Sequence, residues 1–338
     1  MKVMNNLFKK LDKDLQEKLI KKEQDKTISP MLATLTHEYF SDAQWIYERK
    51  LDGERCILHK KGNAITLMSR NHKKQNEFYP EICKALEKFS GNFILDSELV
   101  AFDGKRTSFA MLQNRMHVKN PGGKLIKKYP VYAYVFDIIY LDGYGLEELP
   151  LRKRKSILRA AFEYKDPIRY LPHRNEKGEA YFQQACENGW EGVIAKDAES
   201  KYLHDRSKKW LKFKCEHGQE FVVGGYTDPK GERIGFGALL LGYYEDEELI
   251  YCGRVGTGFD DDFLEFLHNR MRKIKTESSH FTDCEESGDD INWVKPELVV
   301  EVRFTEWTDK GKLRHPRFLG LRKDKEPKDV HREDKEIS

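Results

Sequence analysis

Polar and apolar residues alternate in three short runs, Gln44–Lys50, Arg55–Lys60 and Ala64–Arg70, divided by the pairs Asp52-Gly53 and Gly62-Asn63. That pattern predicts three β-strands joined by tight turns. Pro80–Phe89 reads as a helix, with Pro80 suited to its first turn and Ile82, Leu86 and Phe89 on one face. Phe93–Phe102 and Val131–Tyr140 read as strands. The second is apolar almost throughout, as expected of a central strand buried on both faces. Leu151–Tyr164 and Glu179–Asn188 are helical, the latter closed by Gly189, and Gly192–Lys196 and Trp210–Lys214 return to strands. At the other end, Leu7, Leu11, Leu15 and Leu19 fall on one helical stripe within a Lys-rich stretch that Ser29-Pro30 closes.

The pattern changes near Glu216-His217-Gly218. Beyond it lie the strands Glu220–Tyr226, Ala238–Tyr244, Leu249–Val255 and Leu298–Phe304, with glycines between them. One helix interrupts them at about Asp261–Ile274, with Phe263, Phe266, Leu267, Met271 and Ile274 expected inward. Short strands around one inserted helix suit a small barrel of OB type. The expected organisation is therefore an N-terminal helical extension (1–28), an α+β domain of antiparallel sheets with flanking helices (29–217), and an all-β OB-fold domain (218–338).

Composition narrows the class. With 39% hydrophobic residues in 338 the chain can bury a core, which excludes a wholly disordered protein. No apolar run approaches the ~18 residues of a membrane span, and the Lys-rich start lacks the apolar core of a secretory signal. A cytoplasmic location is expected. Charged residues make up 35% of the chain against about 25% in average proteins, yet the net charge is only +3. A bulk polycation is excluded, but not an enzyme acting on nucleic acid, because binding depends on where the charges sit. The sum hides a net +5 over residues 201–214 and +6 over 310–325, offset by acidic loops at 245–248 and 285–290. No two of the six cysteines lie closer than 27 residues, so neither zinc spacing nor a CxxC pair exists and free thiols are expected.

The sharpest chemical feature is Lys50-Leu51-Asp52-Gly53-Glu54-Arg55, in which a Lys ends one strand and an Arg begins the next. It is followed in order by Ser69-Arg70-Asn71, Leu95-Asp96-Ser97-Glu98-Leu99, Tyr134-Val135-Phe136-Asp137, Glu191-Gly192-Val193-Ile194-Ala195-Lys196, Trp210-Leu211-Lys212-Phe213-Lys214 and Arg322-Lys323-Asp324-Lys325. This ordered set resembles the covalent nucleotidyltransferases, the group of ATP-dependent DNA ligases, RNA ligases and mRNA capping enzymes. Within the group it is most similar to the ligase domain of bacterial DNA ligase D. Pro30-Met31-Leu32-Ala33, Phe221–Thr227, Gly253–Phe259, Leu313-Arg314-His315-Pro316 and the closing Phe318–Lys325 carry that likeness.

The resemblance implies an adenylation domain followed by the OB domain, ATP as cofactor, and sealing of 5′-phosphate/3′-hydroxyl nicks. It makes Lys50 the nucleophile that takes AMP from ATP. A free Lys amine titrates near 10.4, so nearby cations or a metal must help deprotonate it. It puts Glu48, which alternation directs to the same side as Lys50, near the adenine, and Phe136 in a stack on that base. Arg55 and Arg70 suit ribose or phosphate contacts, and Arg206 matches a further nucleotide-contacting Arg of the family. Glu98 and Glu191 become carboxylates for Mg²⁺ or Mn²⁺. Arg322 and Lys325 would hold the departing pyrophosphate once a hinge near residue 217 closes.

Alternation alone sends Lys212 and Lys214 to one strand face with Trp210, an arrangement costly in a core but suited to a phosphate cleft. Ser97 stands where the ligase D pattern usually has Gly, which is tolerable unless the backbone needs positive φ. Asp103 and Asp137 read as structural. The implied partner is nicked or broken duplex DNA in the nucleoid, bound by a monomer, and a Ku-type end-binding protein is worth testing. The competing readings are an RNA ligase or RNA-capping guanylyltransferase, and a catalytically idle DNA-binding module.

Overall fold

The computed structural model describes residues 4–116, 118–215 and 217–333. The chain divides into two compact units, Met1–Cys215 and Glu216–Ser338. Glu216, in the segment read as the join, lies outside the described residues.

Two sheets build the first unit. One runs Ile20–Lys21, Tyr144–Gly145, Tyr132–Leu141, Phe93–Val100, Glu54–Lys61, Ala64–Ser69, with Ile168–Tyr170 parallel to Tyr132–Leu141. The apolar Tyr132–Leu141 strand is central in it, as its composition predicts. The other runs His173–Asn175, Trp45–Lys50, Gly192–Asp197, Arg206–Lys214, Leu32–Leu35. Alternation decides what each face meets. Cys56, Leu58, Leu95 and Val135 point into one core with the helices Pro80–Leu86 and Leu151–Ala161. Ile57, Ile94, Phe136 and Trp210 share a second core. Tyr47, Val193, Ala195 and Phe213 pack with Ala185 of the helix Gly178–Glu187.

The second unit is a five-stranded antiparallel sheet in the order Glu248–Val255, Leu239–Glu245, His217–Thr227, Ile291–Phe304, Arg317–Arg322. The helix Asp261–Met271 begins at Asp260, whose carboxylate accepts from the Phe263 N–H (2.8 Å), a normal N-cap. Its buried residues are Leu264, Leu267 and Met271, whereas Phe266 is 48% exposed. Leu267 and Met271 are buried as expected and Phe263 and Ile274 pack partly buried against the same core, so the difference is confined to Phe266, which falls outside, and Leu264, which takes its place.

Two further expectations fail. The leucine stripe of residues 7–19 is not one helix: Met4–Lys9 and Lys13–Gln16 are separate because Asp12 takes an extended ψ of 153°. Leu11, Leu15 and Leu19 still pack against the first core, and Phe8 meets Tyr144 edge-on at 5.2 Å. Burial alone made the stripe, without a continuous helix. The cysteines are not all free thiols, because Cys186 and Cys215 form a disulfide with Cα atoms 5.2 Å apart. They are 29 residues apart in sequence; the last turn of Gly178–Glu187 meets the end of Arg206–Lys214 only after folding. Cys56, Cys83, Cys252 and Cys284 are free thiols. No helix among the described residues is long and apolar enough to cross a membrane.

Candidate nucleotidyl-transfer site

Strand register assembles the site. Lys50 lies opposite Gly192, which lies opposite Lys214; one step along, Glu48, Ile194 and Lys212 form the next row, and Ile46, Lys196 and Trp210 the third. Residues opposite one another share a face, so Glu48, Lys50, Lys196, Trp210, Lys212 and Lys214 stand on one side of the sheet. Gly192 is required in this weave. Its φ is +150°, and a Cβ there would lie 1.9 Å from the Phe213 carbonyl oxygen. Gly53 permits another close approach: a Cβ on it would meet the Leu99 carbonyl oxygen at 2.2 Å, so only glycine lets the Asp52-Gly53 turn lie against the Glu98 strand.

The Lys50 ammonium pairs with the Glu191 carboxylate, and both side chains retain access to solvent (18% and 19%). The Cys215 N–H donates to the Glu191 carbonyl (3.1 Å), and Cys215 is bonded to Cys186, so the disulfide lies next to this pair. In the other sheet Arg55 is opposite Glu98, which is opposite Tyr134. Arg55 makes a two-pronged pair with Asp96 (2.5 and 2.6 Å) and donates to the Met31 carbonyl (3.0 Å). Burial works against the Arg55 charge, but Asp96 outweighs it and raises its pKa. The Tyr202 hydroxyl also donates to Asp96 (2.6 Å) and accepts from the Met31 N–H (3.0 Å). Asp96 is thus the anchor of Arg55, and Tyr202, which lies in none of the ordered motifs, completes that anchor. Ser97 pairs with Cys56 on one side and, across a register shift, with Val135 on the other, its hydroxyl donating to the Cys56 carbonyl (2.6 Å); its φ is not positive, so the Gly-to-Ser departure costs no backbone freedom here.

Behind the open pair lies a sealed one. Glu48 is 1% exposed; one carboxylate oxygen accepts from Lys155 and the other from Lys196 (2.6 Å). Burial would raise the Glu48 pKa, but the two ammonium groups, Lys155 foremost, hold it below the ordinary carboxyl range. Lys196 stands over the rings of Trp210 (3.9 Å) and Phe136 (4.2 Å), and Arg55 over Phe136 at 4.7 Å. Burial lowers the Lys196 pKa, with Glu48 opposing. Beside the row, His173 is paired in register with Glu48; burial and then Lys155 push its pKa down to about 4, so it is neutral. Sequence reasoning gives neither Lys155 nor Lys196 a role of its own. For Lys155 no local signal exists. Asp137, read as structural, forms a fully buried two-pronged pair with Arg154 (2.8 and 2.9 Å).

The remaining expected residues are more dispersed. Arg70 directly follows Ser69, whose partner is Cys56. Arg206 donates to the Ala33 carbonyl (2.9 Å) at the start of its strand. Arg322 and Lys325 belong to the second unit. Arg322 is gripped by Asp324 (2.8 and 2.9 Å) and Glu301 (2.8 Å), and Lys325 pairs with Glu220 (2.9 Å). Burial disfavours the Arg322 charge, but Asp324 and Glu301 outweigh it and raise its pKa strongly.

No cluster of three His, Cys, Asp or Glu side chains arranged for a metal occurs among the described residues. Glu98, opposite Arg55 in one sheet, and Glu191, which pairs with Lys50 just before the strand Gly192–Asp197 of the other, are hard oxygen donors of the type Mg²⁺ accepts.

Comparison with known proteins gives a consistent result. Residues 30–214 match the family described as ATP dependent DNA ligase domain, and residues 232–325 the ATP dependent DNA ligase C terminal region. The multifunctional non-homologous end joining protein LigD of Pseudomonas aeruginosa is 36% identical over 313 residues, which are 90% of this chain and 36% of that protein. A DNA ligase of Sulfophobococcus zilligii is 33% identical over 93% of this chain and 58% of its own length. The solved structure of mycobacterial DNA ligase D complexed with ATP and MES superposes with a TM-score of 0.66 at 32% identity, covering 90% of this chain and 98% of that one. The chain thus spans well under half the length of the LigD proteins it matches.

Proposed function

The chain belongs to the ATP-dependent DNA ligase family, an adenylation domain followed by an OB-fold domain, and from that premise we propose that it seals nicks in duplex DNA through a lysyl-AMP on Lys50. The observation that carries the reading is the open Lys50–Glu191 pair on a sheet face that also bears Lys212 and Lys214. The Lys50 amine attacks the α-phosphate of ATP, a phosphoamide forms and pyrophosphate leaves. AMP then passes to the DNA 5′-phosphate, and the 3′-hydroxyl attacks that phosphate and releases AMP. Little acid–base chemistry is needed; positioning and charge neutralisation do most of the work.

In this reading Glu191 holds Lys50 until a nucleotide arrives, and Glu191 and Glu98 would hold Mg²⁺ or Mn²⁺. The ion supplies charge neutralisation at the phosphates and favours the free amine. Lys212 and Lys214 meet the phosphates. Arg55, anchored on Asp96, meets the nucleotide with Arg70 and Arg206, and Phe136 and Glu48 define the base site. Arg322 and Lys325 exchange their carboxylate partners for pyrophosphate. The likeness to LigD proteins supports a role in break repair by end joining, with a Ku-type partner, for a monomer working in the nucleoid.

Incubation with α-labelled ATP is expected to give a covalent lysyl-AMP and sealing of nicked duplex DNA. Absence of the adduct, or an undiminished adduct on Lys50→Ala, overturns the reading. Labelling by GTP, or joining of RNA nicks alone, would replace it with a capping or RNA-ligase function.

A further inference from the structure

The Lys155 ammonium donates to three acceptors on three elements: the Glu48 carboxylate, the Phe136 carbonyl (3.2 Å) and the Leu171 carbonyl (3.1 Å). Its three protons are therefore all used, and the side chain is 1% exposed. Two of the three acceptors belong to the residues that define the base site in the function proposed above, on which this inference rests. One bond fixes the backbone that carries the Phe136 ring; another fixes the carboxylate of Glu48. Of the two ammonium partners of Glu48, Lys155 is the one that also bonds the backbone of the stacking residue.

We propose that Lys155 is a positioning residue for nucleobase choice: it keeps Glu48 an ionised, acceptor-only carboxylate in register with the Phe136 ring, and so favours adenine over guanine. The chemistry is simple. An ionised carboxylate accepts from an exocyclic amino group such as the one adenine carries at C6, whereas guanine carries a carbonyl oxygen at that position. A carboxylate fixed at that edge rewards the first and repels the second. Discrimination of this kind is large because a buried polar group left without its partner is penalised.

The surroundings leave that ionisation to the lysines. Around Glu48 stand Lys155 on the helix Leu151–Ala161, Lys196 on the neighbouring strand and neutral His173 on the edge strand, with Tyr170, whose ring lies 4.9 Å from the Lys155 ammonium, and Tyr181 also within electrostatic reach and Arg152 acting on His173. Without Lys155 the carboxylate keeps one cation, in a site where burial favours its neutral form. A protonated Glu48 carries an O–H donor, which suits the guanine carbonyl.

The test is lysyl-nucleotide formation by the full chain with α-labelled ATP and GTP, alone and in competition. For Lys155→Met we expect the KM for ATP to rise about tenfold with kcat changed less than about threefold. The preference for ATP over GTP falls at least tenfold, and Lys155→Arg restores most of it. Glu48→Gln is expected to lose the same preference, and Lys155→Met is expected to add nothing further in that background. If Lys155→Met does not fold, Lys155→Gln carries the test: it should lower the ATP-over-GTP preference, and that shift must vanish in the Glu48→Gln background. A fall in kcat with KM and preference unchanged, or additive effects of the two substitutions, overturns the proposal and leaves Lys155 a structural residue. If the unaltered chain forms no adduct with either nucleotide, the ligase reading itself fails instead.

Discussion

Two ionic clusters carry opposite surpluses and behave differently because of where they sit. In the first unit, Glu48 faces two lysines, all three side chains are 1–3% exposed, and both cations stand over aromatic rings, Lys196 over Trp210 and Phe136 and Lys155 over Tyr170. In the second, Arg322 and Lys325 face Glu220, Glu301 and Asp324, and the two basic side chains are 10% and 17% exposed. The sealed cluster has more cation than anion; the accessible one has more anion than cation. A buried partner cannot be replaced by water, so the first cluster sets a geometry and keeps it. Arg322 is the less deeply buried of the two charge centres and shares three carboxylates, only Asp324 (3%) being as buried as the first cluster, which suits the exchange for phosphate proposed above. The Lys50–Glu191 pair is of this second, exchangeable kind.

The largest expected effect tests the exchangeable class. Lys50→Ala should abolish lysyl-AMP formation, a loss of more than about 10³-fold, while leaving the melting temperature nearly unchanged. A large fall in melting temperature would show that Lys50 belongs with the sealed cluster. Next, Glu48→Ala leaves two buried ammonium groups without their acceptor and should cost about 3–5 kcal/mol in denaturant unfolding. A cost below ~1 kcal/mol would erase the distinction between the clusters.

Reducing Cys186–Cys215 should destabilise the chain by about 2–4 kcal/mol, measured by unfolding with and without a dithiol. Because the bond lies beside Glu191 and not beside Glu48, the adduct yield should fall while the ATP-over-GTP preference holds. The smallest effect is in acid. Glu48 and Asp324 titrate below their ordinary values of 4.5 and 3.8. Each therefore contributes stability that is full above those values and lost as pH falls through the lower folded-state pKa. Glu48→Gln should flatten the acid limb of stability against pH; an unchanged limb would contradict the depressed Glu48 pKa.

The order of motifs and the alternation within strands are legible in the sequence. Trp210, Lys212 and Lys214 share a face because side chains alternate along a strand, and Asp52-Gly53 is a turn because its glycine admits a close approach. Sequence and fold part company where contacts far along the chain decide. Phe266 has the spacing of a core residue, but the helix turns Leu264 toward the sheet in its place. The leucines at 11, 15 and 19 reach the first core without a continuous helix, since Met4–Lys9 and Lys13–Gln16 are separate pieces.

Charge shows the same limit. The +6 stretch at 310–325 is partly neutralised by Glu220, Glu301 and Glu306, and in the +5 stretch at 201–214 Lys201 and Lys209 pair with Glu148 and Asp197. Local charge counts therefore overstate what a phosphate backbone would meet.

The family, the strands that carry the motifs and the turns that join them all follow from residue order. Each depends on residue type and on neighbours within a few positions. Folding in three dimensions was needed to clamp Glu48 with Lys155, 107 residues away, to anchor Arg55 on an Asp96 that also takes the hydroxyl of Tyr202, 106 residues away, and to join two distant cysteines. The physical reason is that periodicity is a property of contiguous chain. The partner of a buried charge is a property of which surfaces lose their water together.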